Sequence, residues 1–419
     1  MLYPLFANIS DSRRGERPAR PTGRGGSARP GLWLVFLLLV LGACSSPRGW
    51  VALEGPPDVT WMDDASPESL EGSIARSIEY FRRLPADRAI RYGNLVYSPQ
   101  EMVQSLELFL QLRREFTDPE QFSEELWKRF FMVESVAEDR ENLFTGYYEP
   151  VIPGDTTPNG RLQVALYERP KELVEIDLRD FGAHLPNEKL MGRIEEGRVV
   201  PFYSRKEIQE EKALSGKVKP LAYVNEVDLF FLQVQGSGIV RMRDGKEIRV
   251  GYHGHNGHPY RSIGAKLIRI NAISREEVSM QTIRDYLAEN PDEVQQILFS
   301  NPSYVFFRPL EEKDGPLGSI SVPLTPGRSL AVDFRLFPMG GLVYLEGEAP
   351  LYGDVEGKRP LRRFMVAQDT GGAIRGHGRG DVFWGKGLLA EWNAGYMKHS
   401  GRMWLLVARK EALVAMAHQ

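Results

Sequence analysis

Several things are scarce in this 419-residue chain. It has one cysteine, Cys44, so no disulfide can form within the chain and no cysteine zinc cluster can be built. It has no excess of charge of one sign: 53 lysines plus arginines face 56 aspartates plus glutamates. The basic field that marks a nucleic-acid partner is therefore missing. No apolar run reaches the ~20 residues that span a bilayer as a helix, and no repeat with a 20–50-residue period is visible. The sequence contains no G-x-S-x-G, HExxH or Walker pattern. With serine nucleophiles, helical zinc motifs and phosphate loops set aside, carboxylate acid/base chemistry leads among the catalytic options. An apolar share of 42% suits one large or two medium globular domains.

The N-terminus is of another kind. Arginines 13, 14, 17, 20, 24 and 29, mixed with Pro, Gly and Ser, cannot form a packed core. They lead into Leu32–Leu41, the length of a signal-peptide apolar region, and then into Leu41-Gly42-Ala43-Cys44-Ser45-Ser46. A cysteine directly after a small-residue cleavage site resembles a bacterial lipoprotein box. That resemblance implies a signal peptide over 1–43, acylation of Cys44 and a polar tether over 44–58. Ser45 in place of aspartate resembles the outer-membrane sorting pattern. The expected location is the periplasmic face of the outer membrane, anchored by lipid.

Beyond the tether, Leu70, Ile74, Ile78 and Phe81 fall on one helical face. Ser98-Pro99-Gln100-Glu101 reads as N-cap, proline at N1 and capping-box glutamate. Asp118-Pro119-Glu120-Gln121 opens another helix. From Phe144 to about Val250 the pattern turns to short β-type runs, including Arg161–Tyr167 and Val224–Val240, with Asp244-Gly245 as a hairpin signal. Capped helices are expected at Ser274–Glu277 and Asn290–Glu293. β-type runs then return: Tyr304–Phe307, Leu330–Phe334, Leu342–Leu345, Phe364–Ala367 and Met403–Val407.

Four clusters carry chemistry. Gln368–Gly376 followed by Gly380–Gly385 places Asp369 and Asp381 in one glycine-rich segment. Asp369 precedes Thr370-Gly371-Gly372, where backbone N–H groups can favour its charged form. Asp381 runs into Val382, Phe383 and Trp384, whose apolar bulk favours the protonated form. Two carboxyls pushed apart in this way suit glycosidic acid/base chemistry. Phe230–Gly238 alternates apolar and amide residues; as a strand it puts Gln233, Gln235 and Ser237 on one face, either a sugar-binding wall or an exposed polar face. His253, His255 and His258 share a loop that either lines a substrate site or chelates a metal, although the spacing matches no common zinc pattern. Trp384, Trp392, Tyr396 and Trp404, with Tyr147 and Tyr148, stand near the polar motifs and serve sugar stacking or packing.

Phe144–Pro150, Leu232–Gly238, Asn301–Phe307 and Gln368–Gly376 with Asp381, taken together and in this order, resemble the lytic murein transglycosylase A family. The last segment also resembles the three-aspartate domain, whose earlier member here is Asp333. The resemblance implies a mainly β fold with helices: a double-psi β-barrel catalytic domain over 59–148 and 304–415, with a second β-rich domain inserted over 149–303. The glycan strand of peptidoglycan would lie between them. Asp381 corresponds to the family's catalytic residue, general acid and then base, and Asp369 to its supporting carboxylate. Thr145 and the Gln233–Ser237 segment map onto the groove wall; with Tyr147, Gly371, Gly372 and Trp384 they form the expected substrate-binding set. The implied reaction breaks the β-1,4 bond between N-acetylmuramic acid and N-acetylglucosamine and leaves a 1,6-anhydromuramoyl end. No metal or other cofactor is expected. For this chemistry Arg375 and Arg379 must point away from Asp381. The rival readings are a metal-dependent peptidoglycan amidase or peptidase built on the three histidines, and a lipoprotein that only binds peptidoglycan.

Overall fold

The computed structural model describes residues 49–417, apart from 54, 139–140, 183, 187, 312–314 and 373. The leader and Cys44 lie outside the described residues. Part of the expected tether is ordered sheet. Gly49–Ala52 forms strand β1 and pairs antiparallel with a later strand, Trp50 opposite Ser135. Pro67–Arg82 is helix α1, capped by the Ser66 side chain, and it buries Leu70, Ile74, Ile78 and Phe81 as their spacing predicts. A small hairpin of β2 (Ile90–Tyr92) and β3 (Leu95–Tyr97) leads to α2 (Pro99–Glu115), whose Ser98–Glu101 box is closed from both sides. Asp118 caps α3 (Pro119–Arg129), which runs directly into β4 (Phe130–Val136) and then β5 (Leu143–Glu149).

The inserted unit opens with strands β6 (Val151–Gly154), β7 (Val164–Tyr167), β8 (Val174–Asp177), β9 (Lys189–Glu195) and β10 (Arg198–Pro201). Helix α4 (Arg205–Gln209), strand β11 (Pro220–Val224) and helix α5 (Glu226–Gln235) come next, followed by the hairpin β12 (Ser237–Met242) and β13 (Glu247–His255). Gly245 makes the turn at φ +86°, where a side chain is strained. Helices α6 (Ile263–Arg269), α7 (Met280–Glu289) and α8 (Val294–Leu298) precede β14 (Val305–Pro309). The strands pair as β14-β13-β12-β6, β10-β9-β8 and β11-β7.

Three expectations need correction here. Val224–Val240 is not one strand: Asn225 accepts from Val227 N and Asp228 N and starts α5, whose residues from Leu229 to Gln235 are all buried. A helix that is buried all round has no polar face to reveal its period. The Ser274–Glu277 box closes only a turn; a second box, Ser279 with Thr282, opens α7 instead. Finally, Tyr304–Phe307 belongs with the insert, since β14 pairs with β13 in the four-stranded sheet of β6, β12, β13 and β14.

The chain then returns through β15 (Ser329–Ala331), the long hairpin β16 (Leu342–Leu351) and β17 (Asp354–Asp369), and β18 (Arg379–Lys386). Helix α9 (Leu388–Tyr396), strands β19 (Lys398–His399) and β20 (Gly401–Ala408), and helix α10 (Lys410–Ala417) complete it. Both ends of the described chain share one nine-stranded sheet, ordered β1-β4-β20-β16-β17-β15-β18-β5-β19. Arg328, fully buried, locks the two ends together. Its guanidinium donates to Asp63, Ser66 O, Ser69 Oγ and Phe364 O. Those five bonds use every N–H of the group. The core of this unit spans α1, α2, α3 and the sheet, and the insert has a core of its own. A third cluster, around Tyr148, Phe230, Phe231 and Ala394, joins the two. Among the described residues no helix is long and apolar enough to cross a membrane.

Candidate active site

Short β15 sits between the two strands that carry the aspartates. Its last residue, Ala331, pairs with Asp369 of β17 on one side and with Asp381 of β18 on the other. Asp381 pairs in turn with Thr145 of β5, and Thr145 with Lys398 of β19. Residues in register share a face of the sheet. Asp369, Ala331, Asp381 and Thr145 therefore form one row. A register shift between Leu330 and Ala331 brings Asp369 rather than Gln368 into that row, the usual effect of a bulge. Gln368 turns inward, to Ser73 O, Ser77 Oγ and Ser329 Oγ.

With strands ~4.8 Å apart, the two aspartate backbones stand about 10 Å from each other. The methyl group of Ala331 leaves the space between them free. Tyr147, two residues past Thr145 and so on the same face, reaches across it and donates its hydroxyl to Asp369 Oδ2 at 2.8 Å. Leu324 and Phe383 pack with Tyr147 and Ala331. Thr145 Oγ1 donates to Asp381 Oδ1 at 2.7 Å.

Asp381 is only 3% exposed. Burial pushes its pKa up to about 6, with the Thr145 hydroxyl and Arg379 opposing and the charge of Asp369 adding. Arg375 reaches Gly371 O and Ile374 O and does not act on Asp381, as expected. Arg379 reaches Leu143 O but is buried near enough for its charge to oppose the rise, so for Arg379 the expectation is overturned in part. The expectation for Asp369 is overturned in part. The backbone donors are present, Thr370 N at 2.8 Å and Ser319 N at 3.0 Å, but burial outweighs them and raises this carboxyl as well. Two buried carboxyls on one row hold a proton between them more readily than separate ones. Three donors converge on Asp369 and one on Asp381, which places that proton on Asp381. The Tyr147 phenol is itself held well above its usual range, by burial and then by the charge of Asp369, so it remains a donor.

Asp333 supports the loop from beneath. It accepts from Gly376 N at 2.9 Å and, bidentately, from Nε and Nη2 of Arg335. Burial works to raise its pKa, but Arg335 and the backbone donors outweigh it and keep the carboxylate ionised.

Other expected site residues lie elsewhere. Gln233 and Gln235 are two positions apart on a helix, about 200° around its axis, so they cannot share a wall. Both are buried braces: Gln233 donates to Val305 O, and Gln235 Oε1 accepts from Tyr148 N on β5. Gly236 ends α5 in the left-handed region at φ +80°, which leaves Ser237 to begin β12. Gly371 is buried and Gly372 half-buried in the loop after Asp369. The Trp384 ring is taken up by packing: a Cβ at Gly146 would come within 2.6 Å of its Nε1, and Arg359 and Arg363 lie over its face. The histidines do not converge. His255 Nδ1 accepts from Gly257 N and His258 Nε2 contacts Phe202 O. No set of three or more metal-type ligands occurs among the described residues. A cavity of ≈ 770 Å³ lies between α7, the start of β17 and the α9–β19 link; it is lined by none of the four residues of the row, only by Lys398, which pairs with Thr145. Ala331 and Ser319 contribute through register and a backbone N–H, neither of which leaves a trace in side-chain chemistry.

Residues 143–308 match the model of the MltA specific insert domain and residues 328–407 that of the 3D domain. The chain is 33% identical over 397 residues to membrane-bound lytic murein transglycosylase A of Escherichia coli K12, covering 90% of this chain and 96% of that one. A crystal structure of a membrane-bound lytic murein transglycosylase from Agrobacterium tumefaciens superposes with TM-score 0.68 and 31% identity, over 85% of this chain and 96% of that chain. The E. coli protein with bound chitohexaose superposes with TM-score 0.64 and 31% identity, over 86% and 95%. The fold is theirs: a double-psi β-barrel with an inserted β-rich domain.

Proposed function

The chain belongs to the membrane-bound lytic murein transglycosylase A family, and from that premise we propose that it cleaves peptidoglycan glycan strands with Asp381 as both general acid and base. The bond broken is the β-1,4 link between N-acetylmuramic acid and N-acetylglucosamine. The observation that carries this is a buried Asp381, its pKa pushed up to about 6 by burial, held by Thr145 in a row with Asp369. Asp381 gives its proton to the leaving O4 as the C1–O4 bond breaks. The 6-hydroxyl of the same muramoyl residue then attacks C1, its proton passes to ionised Asp381, and a 1,6-anhydro ring remains. Atoms balance without water, so no second carboxylate at hydrolase spacing is required.

Asp369 acts from a distance, because both of its oxygens are already occupied by donors. Its charge helps to keep Asp381 protonated until the leaving group departs, and it favours positive charge at C1. Thr145 orients Asp381, Tyr147 fills the space between the two aspartates, and Trp384 packs against Gly146. Gly372 and Ser237, both half-buried, are the members of the expected set that remain for direct contact with sugar, and the buried Gly371 shapes the loop. Gln233 and Gln235 brace β14 and β5 through Val305 O and Tyr148 N. The barrel and the insert are the two walls of the groove. The bound chitohexaose of the E. coli relative supports a glycan strand as occupant.

The family name also carries membrane association. The lipoprotein box gives it a form: acyl chains on Cys44, after removal of 1–43, holding the protein on the periplasmic face of the outer membrane. Labelled palmitate should enter the wild-type chain and not Cys44→Ala.

The decisive assay is mass spectrometry of products released from purified sacculi. Anhydromuropeptides are expected, chelator should not reduce them, and Asp381→Asn should lower their release by about 10²–10⁴-fold. Reducing-end products, chelator sensitivity or an active Asp381→Asn would each sink the mechanism. Sacculus binding without any release would leave only the binding role.

A further inference from the structure

Strand β1 begins five residues after Cys44 and already belongs to the catalytic sheet. Its second residue, Trp50, touches two rings from segments far apart in sequence. Phe337 lies 4.8 Å away at 69° and His377 4.7 Å away at 90°, both edge contacts. Gly49 adds to the same wall, since a Cβ there would stand 3.7 Å from His377 Nε2. His377 lies in the loop between Asp369 and Asp381; Phe337 follows Asp333 in the segment that holds this loop from below.

The residues on either side of His377 are fixed by hydrogen bonds, Gly376 N to Asp333 Oδ2 and Gly378 N to Ser135 Oγ. His377 is held differently. Its buried Nδ1 has no hydrogen-bond partner, so the ring depends on the packing that Trp50 provides. Only Gly378, Arg379 and Gly380 separate this ring from Asp381.

We propose that Trp50 is a positioning residue for the reaction, clamping His377 and Phe337 so that the aspartate loop holds Asp381 against Thr145. The segment beside the N-terminal cysteine is then part of the catalytic apparatus and not a passive tether. This rests on Asp381 being the acid. Loosening the loop has two effects: Asp381 loses its alignment, and water that reaches it lowers its pKa towards the ordinary carboxylate range.

The test compares full-length wild type, Trp50→Ala, Trp50→Phe and Asp381→Asn on soluble glycan strands, recording kcat, KM, pH–rate profiles and thermal unfolding. Trp50→Ala should lose about 10–100-fold in kcat with KM little changed, and its alkaline limb should move to lower pH. Trp50→Phe should recover most of both. A folded Trp50→Ala with unchanged kcat and limb would overturn the proposal. So would a loss that merely tracks the unfolded fraction and is not rescued by phenylalanine. Asp381→Asn separates the two levels: its retained activity overturns the acid assignment and this proposal together. An inactive Asp381→Asn beside a fully active Trp50→Ala overturns only the role of Trp50.

Discussion

Ala331 sets the space between the two carboxyls on either side of it. Its methyl group is small enough for the Tyr147 ring to lie between Asp369 and Asp381. Tyr147→Phe removes one of three donors from a buried carboxylate and should cost about 1.5–3 kcal/mol in denaturant unfolding. Asp381 contributes to stability with the opposite sign from a salt-bridged acid. Burial raises its pKa from 3.8 to about 6, so the unfolded chain releases this proton first. Native stability therefore falls as pH rises from about 4 to 6, by an order of 3 kcal/mol at most. Asp381→Asn keeps an oxygen for the Thr145 hydroxyl and has no charge to bury. It should melt higher than wild type at pH 7.5 and equally at pH 4, as calorimetry at the two pH values would show. Thr145→Val removes a donor that favours the ionised form, and should move the alkaline limb of the pH–rate profile upwards. The aspartate pair is legible in sequence because glycines and an apolar run flank it locally. The Asp369 environment is not: Ser319 donates to it from 50 positions away through a backbone N–H that any residue but proline supplies.

At the scale of elements, local chemistry was readable and burial was not. The Ser98–Glu101 box lies wholly within four residues, and the structure closes both of its bonds. Ser98→Ala should cost about 1 kcal/mol in thermal or denaturant unfolding. Helix α5 shows the opposite case. Its alternating glutamines looked like a strand because every side of the helix is buried, and an apolar run without a wet face carries no period. The glutamines serve long-range backbone groups, Val305 O and Tyr148 N, so their purpose is visible only once the chain has folded. Strand β15 is similar. Three residues long, it is too brief for a periodic signal, yet its register places both aspartates.

For the whole molecule, the family resemblance carried by the ordered motifs implies a barrel interrupted by an insert. The site of return was not visible, because β14 is as apolar as a barrel strand and only its partner β13 assigns it. Closure of the catalytic unit depends on contacts between its ends, above all Arg328 with Asp63. Arg328→Met would leave Asp63 as a buried, unpaired carboxylate, and should cost about 3–5 kcal/mol in denaturant unfolding. Strand β1 adds a consequence of another kind. Five extended residues reach at most about 17–18 Å, so acylation at Cys44 would keep the barrel on a short leash. The enzyme would then graze a thin shell of wall directly above the lipid. Lengthening the leash between Ser46 and Pro47 should widen that shell and leave turnover of free strands unchanged.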